Sequence, residues 1–154
     1  MILLFGTLMK AMQSREKPSD LSCYVELDFP HVTSVKAQRI SRSPRLQSLL
    51  LAPSISTPQT DDPSPSSHPF TISQGGTSLS SNIYHLLPVD LRHDPSDSLP
   101  KHLLPLLDTS LPTLFLAECV FCYMQPEQSR SILRWFGERF DMCAGVIYEM
   151  CGLE

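Results

Sequence analysis

Two kinds of hydrophobic pattern alternate along the chain: short, nearly unbroken apolar runs, and longer stretches with apolar residues three or four apart. The clearest run is residues 114–120, LFLAECV, broken near its carboxyl end by one acid, Glu118. A run of that kind is expected as a strand buried on both faces, as in a parallel sheet covered by helices. A helix should follow from Pro126, because proline suits the first helical position and Glu127 then faces the positive end of the helix dipole. Ile132, Leu133, Phe136 and Phe140 share one helical face with Trp135 at its margin, and Arg130, Arg134 and Glu138 take the other side. Strand, acidic tip, short loop and amphipathic helix together make half of a βαβ unit.

Further strands are expected at residues 2–5, 23–27, 83–89 and 144–148. Residues 30–41 read as a helix with Val32, Val35 and Ile40 roughly on one face, ended by Pro44. Residues 98–107 read as a short apolar helix broken at Pro105. The pattern predicts an α/β fold, a parallel sheet with flanking helices. Residues 45–81 are rich in Ser and Pro and poor in aliphatics, so they are expected to form an irregular insertion, with residues 49–51 docking locally.

A chain of 154 residues defaults to one domain, and 42% hydrophobic residues suffice for a core. The net charge of −4 and the lack of a basic patch give no general attraction to nucleic acid or acidic membranes. There is no apolar run of about 18 residues, so no membrane span is expected. Residues 1–12 are apolar but lack the basic start and clear cleavage site of a signal peptide. Five scattered cysteines fit a reduced, cytoplasmic interior better than a disulfide framework. Cys119-x-x-Cys122 stands alone in an apolar run and reads as a pair of buried structural cysteines rather than a zinc or redox site. The histidines show no metal-binding spacing, and there is no G-x-S-x-G, so neither a metal nor a nucleophilic hydrolase is expected.

What remains is three acids, each at the end of a candidate parallel strand: Asp28, Asp90 and Glu118. In open α/β sheets, ligands bind just outside the carboxyl ends of the strands. An acidic rim there suits a ligand with hydroxyls and an amino group, a description that a nicotinamide dinucleotide and a sulfonium nucleoside both meet. Asp28 follows Gly6 by about the 20 residues that separate a glycine turn from a ribose-binding acid in dinucleotide folds. Asp28 could equally cap the helix that follows. The glycine turn itself is reduced to Gly6, with no G-x-G.

Three segments carry a family resemblance: YVELDFP at residues 24–30, LLPVDLR at 86–92 and LPTLFLAECVFCYMQPEQS at 111–129. They resemble, in order, the motifs of the S-adenosylmethionine-dependent leucine carboxyl methyltransferases. The resemblance implies a class I methyltransferase, Rossmann-like fold, with S-adenosyl-L-methionine as cofactor. The implied partner is the C-terminal tail of the type 2A protein phosphatase catalytic subunit, methylated on its leucine carboxylate. It favours the ribose role for Asp28 and implies that Asp90 accepts from the adenine amino group, that Leu91 packs on the ring face and that Glu118 belongs to the same cofactor site. Tyr123 is placed to donate to the substrate carboxylate, with ordinary packing as the other reading. The implied reaction is in-line displacement at the sulfonium methyl. An α-carboxylate, with pKa roughly 3.5, is already ionised and needs no general base.

Such a domain would continue through another helix and two more strands, and the family's G-x-G loop and upstream substrate-gripping cation have no counterpart here. The expectation is therefore a single partial methyltransferase domain over residues 1–154, lacking the full N- and C-terminal portions and weakly active at best. A truncated, non-catalytic binding fragment, a related tRNA-modifying methyltransferase domain and a nicotinamide-dependent oxidoreductase half stay open.

Overall fold

The computed structural model describes residues 22–50 and 70–149. The expected strand at 2–5, Gly6 and the middle of the Ser- and Pro-rich stretch lie outside the described residues. The fold is α/β, with parallel strand pairs joined through helical crossovers, as in a partial Rossmann-like architecture. The chain divides into two compact units, one ending at Val89 and the other running on from Asp90.

In the first unit, β1 (Tyr24–Asp28) leads into α1 (Pro30–Ser41) and α2 (Pro44–Leu50). A hairpin follows, β2 (Phe70–Ser73) and β3 (Ser78–Ser81), and then β4 (Tyr84–Pro88). The sheet order is β1-β4-β3-β2. β1 and β4 are parallel, from Tyr24 opposite Tyr84 to Asp28 opposite Pro88, with α1 in the crossover. β3 pairs antiparallel with both β4 and β2.

The bounds expected for α1 hold, set by Pro30 at its first turn and by the end of the helix before Pro44. Its buried face differs from expectation. Thr33, Ala37 and Ile40 point inward, and Val35 is 51% exposed. Small side chains at 33 and 37 let the helix lie close to the sheet, and Thr33 satisfies its hydroxyl by donating to the Pro30 carbonyl (3.1 Å).

The expected irregular stretch 45–81 is ordered at both described ends. Leu50 is buried at the end of α2, consistent with local docking. At the other end, residues 70–81 form the hairpin. Gln74, Gly75 and Gly76 all take positive φ (50°, 65° and 91°), which the glycines do at no steric cost. Composition hid this hairpin because its ladder is backbone hydrogen bonding, and its fully buried residues are only Ser78 and Leu79.

The core here is Ala37, Ile40, Leu50, Leu79, Tyr84 and Leu86, with one charge inside it. Glu26 is 4% exposed. Both its carboxylate oxygens accept from the Lys36 ammonium, and the Tyr84 hydroxyl donates to Oε2 at 2.9 Å. Burial, followed by the field of Glu26, pushes the Tyr84 phenol pKa upward.

The second unit opens with two one-turn helices, α3 (Pro95–Ser98) and α4 (Pro100–Leu103). The helix expected at 98–107 is thus interrupted at Pro100 and ends before Pro105. β5 (Thr113–Glu118), α5 (Pro126–Arg139) and β6 (Cys143–Tyr148) form the expected βαβ unit, its strands parallel from Thr113 opposite Cys143 to Glu118 opposite Tyr148.

α5 packs Phe136 on Phe115 of β5, ring centroids 4.6 Å apart, and stacks Phe136 on Phe140. Trp135 is inside with Ile132 and Phe136, whereas Leu133 is exposed. The indole makes edge contacts with Phe136 and Phe140, which draws the buried face toward 135.

β5 is not buried on both faces as expected. Leu114 is 62% exposed, and β6 is exposed along its whole length. Within this unit α5 packs on β5 through Phe115, which leaves Leu114 of the other parity in water, and β6 is exposed at both parities, Val146 and Ile147 alike. The strands also fall into two sheets rather than one, with β4 already paired on both edges. Among the described residues, no helix is long and apolar enough to cross a membrane.

Candidate functional site

Asp28 closes β1. Its Oδ1 accepts from the Phe29 N–H at 2.8 Å, one residue ahead of α1. The N-cap residue is Phe29, whose carbonyl accepts from Val32 and Thr33, so Asp28 steadies the helix entry without capping it. Among the described residues its second oxygen takes no partner, which leaves an acceptor for a ligand.

The other singled-out residues, Asp90, Leu91, Glu118 and Tyr123, belong to the second unit. Asp90 follows β4 by two residues. Arg92 grips it in a bidentate pair, Nε to Oδ1 at 2.9 Å and a terminal nitrogen to Oδ2 at 2.7 Å, with the Arg92 N–H adding a third bond to Oδ1 at 3.0 Å. The Arg92 side chain accordingly holds the Asp90 carboxyl down at about 2, outweighing the opposing effect of burial. Oδ1 already accepts twice, so a further donor would be taken by the second lone pair of Oδ2. Leu91, between the two, is half-buried.

The Asp90–Arg92 pair yields a prediction. Because the folded pKa is depressed, the pair is complete above the ordinary carboxyl range and fades as pH falls through about 2. Arg92→Ala is expected to return Asp90 toward the ordinary pKa of about 3.9 in a carboxyl NMR titration. An unmoved midpoint would remove Arg92 as the cause.

Glu118 is the last residue of β5. Its Oε2 is buried and, among the described residues, has no hydrogen-bond partner. Cys119 extends the pairing by donating its N–H to the Tyr148 carbonyl at 2.7 Å, then turns the chain with φ of +49°. A 3-10 turn, Phe121–Tyr123, follows and leaves Tyr123 79% exposed, which the packing reading does not describe. The cysteines differ from expectation in the same way. β5 stops one residue short of Cys119, so Cys119 is only partly buried and Cys122 is exposed on the turn.

Two residues tie this region together, a role that the sequence pattern assigned to neither of them. Gln128, in the first turn of α5, donates to the Arg92 carbonyl at 2.9 Å and accepts from the Gln125 N–H at 3.0 Å, joining the Asp90–Arg92 turn to the start of α5. Glu149, just past β6, accepts from the N–H groups of Val120 (3.3 Å), Phe121 (2.8 Å) and Cys122 (3.2 Å). Burial would raise the Glu149 carboxyl, but the Cys122 thiol and these amides outweigh it and hold it below the usual range. The sequence signal for Glu149 is the Tyr148-Glu149 pair closing the last expected strand, which resembles the family's Tyr-Glu; its hold on these amides leaves no trace in the sequence.

A model of the leucine carboxyl methyltransferase family matches residues 11–137. The chain is similar to Leucine carboxyl methyltransferase 1 of Cryptococcus neoformans var. neoformans serotype D, 53% identical over 150 residues, or 93% of this chain and 40% of that protein. It is also similar to Leucine carboxyl methyltransferase 1 of Bos taurus, 35% identical over 130 residues, or 84% of this chain and 35% of that protein. A third relative is tRNA wybutosine-synthesizing protein 4 of Rattus norvegicus, 33% identical over 131 residues, or 80% of this chain and 16% of that protein. The chain therefore spans about two fifths of the length of the fungal relative. The family match takes in all three motifs and Asp28, Asp90, Leu91, Glu118 and Tyr123, and so the chain belongs to the leucine carboxyl methyltransferase family.

Proposed function

We propose that this chain forms part of a cytoplasmic enzyme that methylates the C-terminal leucine carboxylate of the type 2A protein phosphatase catalytic subunit, using S-adenosylmethionine. The observation that carries the reading is the buried, unpartnered Oε2 of Glu118 at the carboxyl end of β5. A buried acceptor without a donor costs roughly 1–3 kcal/mol. Such groups call for a specific reason, and a ligand donor is one. A nucleoside cofactor with hydroxyls, amino groups and a cationic sulfur provides donors and positive charge. Family membership supports S-adenosylmethionine over a dinucleotide.

In this reading, Asp28 takes ribose hydroxyls through its free oxygen, Asp90 accepts from the adenine amino group and Leu91 packs on the ring. The cofactor, when bound, supplies an activated methyl group. The chain's own tasks are then orientation and exclusion of water, because the attacking carboxylate is already ionised at neutral pH. Tyr123, exposed on its turn, donates its hydroxyl to that carboxylate. A tRNA substrate has less support: a net charge of −4 does not favour a polyanion.

The test is methyl transfer from labelled S-adenosylmethionine to purified phosphatase catalytic subunit, with a subunit lacking its final leucine as control. Both this chain alone and the chain joined to its relatives' flanking segments should be assayed. Label confined to the intact subunit is the expected result in the joined form. Equal labelling of the control, or none in either form, would overturn the substrate assignment.

A further inference from the structure

We infer that Glu149 is the positioning residue of the loop that presents Tyr123, a role that rests on the reading of Tyr123 as the substrate contact. The loop between Glu118 and Tyr123 has little to hold it. The β5–β6 ladder ends with the Cys119 N–H on the Tyr148 carbonyl, and Cys119 then takes a left-handed φ that a non-glycine residue adopts only at a cost. Three successive amides, of Val120, Phe121 and Cys122, converge on one group, the Glu149 carboxylate, both of whose oxygens are used. Successive N–H groups curved around an anion form a nest, and charge-assisted bonds of this kind are the stronger class.

After the nest, the Tyr123 N–H donates to the Val120 carbonyl at 3.2 Å and the Met124 N–H to the Phe121 carbonyl at 3.0 Å. The orientation of Tyr123 is therefore inherited from a turn that Glu149 closes. Glu118, by contrast, is fixed independently by its ladder position opposite Tyr148. Loosening Glu149 should disturb the substrate side and spare the cofactor side.

Among the described residues, the titratable group that faces Glu149 is the thiol of Cys122, which the Cys119 thiol in turn faces. Glu149 itself, through its hydrogen bond, is the leading cause of the raised Cys122 thiol. The folded carboxyl of Glu149 is depressed, so the clamp is complete above the usual carboxylate range and opens as pH falls through the lowered value.

The experiment uses Glu149→Gln in the full chain. Amide shifts of Val120, Phe121 and Cys122 should titrate together at acid pH in the parent and lose that transition in the variant. The KM for a leucine-ended phosphatase tail peptide should rise roughly five- to tenfold, the effect of one lost charge-assisted contact at a distance. S-adenosylmethionine affinity should stay within about twofold. Adding Tyr123→Phe to Glu149→Gln should raise KM little further, since coupled residues are not additive.

An equal fall in both affinities would mean a merely structural role, and an unchanged KM or amides that do not titrate would also overturn the inference. Failure of the unsubstituted chain to bind S-adenosylmethionine would count against the functional reading, while the amide titration would still decide the clamp.

Discussion

Glu118→Ala is expected to weaken S-adenosylmethionine binding by roughly ten- to hundredfold, the worth of a charge-assisted hydrogen bond of about 1.5–3 kcal/mol. The same substitution should leave the free protein as stable as before, or more so. It removes a buried oxygen that has no partner among the described residues, so none of their hydrogen bonds is lost. Opposite signs for affinity and stability are the mark of a residue kept for a ligand rather than for the fold. Titration calorimetry and thermal melting on the same two proteins check both halves. Unchanged affinity would take Glu118 out of the cofactor site, and a large drop in melting temperature would mean that it serves the fold. Asp28→Ala should also weaken binding, by a smaller factor, because only one of its oxygens is free for a ligand.

The second large effect concerns stability. Lys36→Met should cost about 3–5 kcal/mol, because it strips the partner from a buried carboxylate. Glu26 would keep only the Tyr84 hydroxyl among the bonds described here, too little to hold a charge so far from water. A domain is typically stable by only about 5–15 kcal/mol, so the loss would bring the first unit close to unfolding. Asp28 lies two residues further along the same strand and would lose its setting as well. Pairing Lys36→Met with Glu26→Gln should recover part of the loss, since the coupling lies between those two side chains. Urea denaturation measures it; a cost below about 1 kcal/mol would show that water reaches the carboxylate after all.

What the sequence made legible was whatever is written locally. Prolines at 30 and 126 marked helix starts and Pro44 marked a helix end, so α1 and α5 lie within a residue of their expected bounds, whereas α2, which begins at Pro44, fell in a stretch expected to be irregular. Apolar runs marked β1, β4, β5 and β6, and the lone acid inside the last run but one singled out Glu118. Facing was harder. Thr33 and Ala37 outrank Val32 and Val35 on α1 because closeness to the sheet favours small side chains, which a hydrophobicity pattern cannot express.

The hairpin was hidden in a serine-rich composition that its backbone ladder tolerates. Lys36 and Glu26 meet across a strand–helix packing, ten residues apart, a separation that neither helical nor strand periodicity flags. Glu149 reaches amides 27 to 29 residues away, and backbone donors leave no trace in side-chain identity. Of the site, then, the acids at strand ends were readable, and the groups that hold their loops were not.

The aromatic packing around α5 has an optical consequence. Trp135 is the chain's single tryptophan, 5% exposed, edge-on to Phe136 and Phe140 and with the Arg139 guanidinium 5.7 Å from its ring centre. An indole in such surroundings emits at short wavelength and shifts to the red when water arrives. All tryptophan fluorescence of this protein therefore originates beside β5, in the unit that carries Glu118, Tyr123 and Glu149. Excitation at the red edge of the ultraviolet band, where tyrosines do not absorb, makes that emission a selective gauge of the half of the chain in which Glu118→Ala and Glu149→Gln are made.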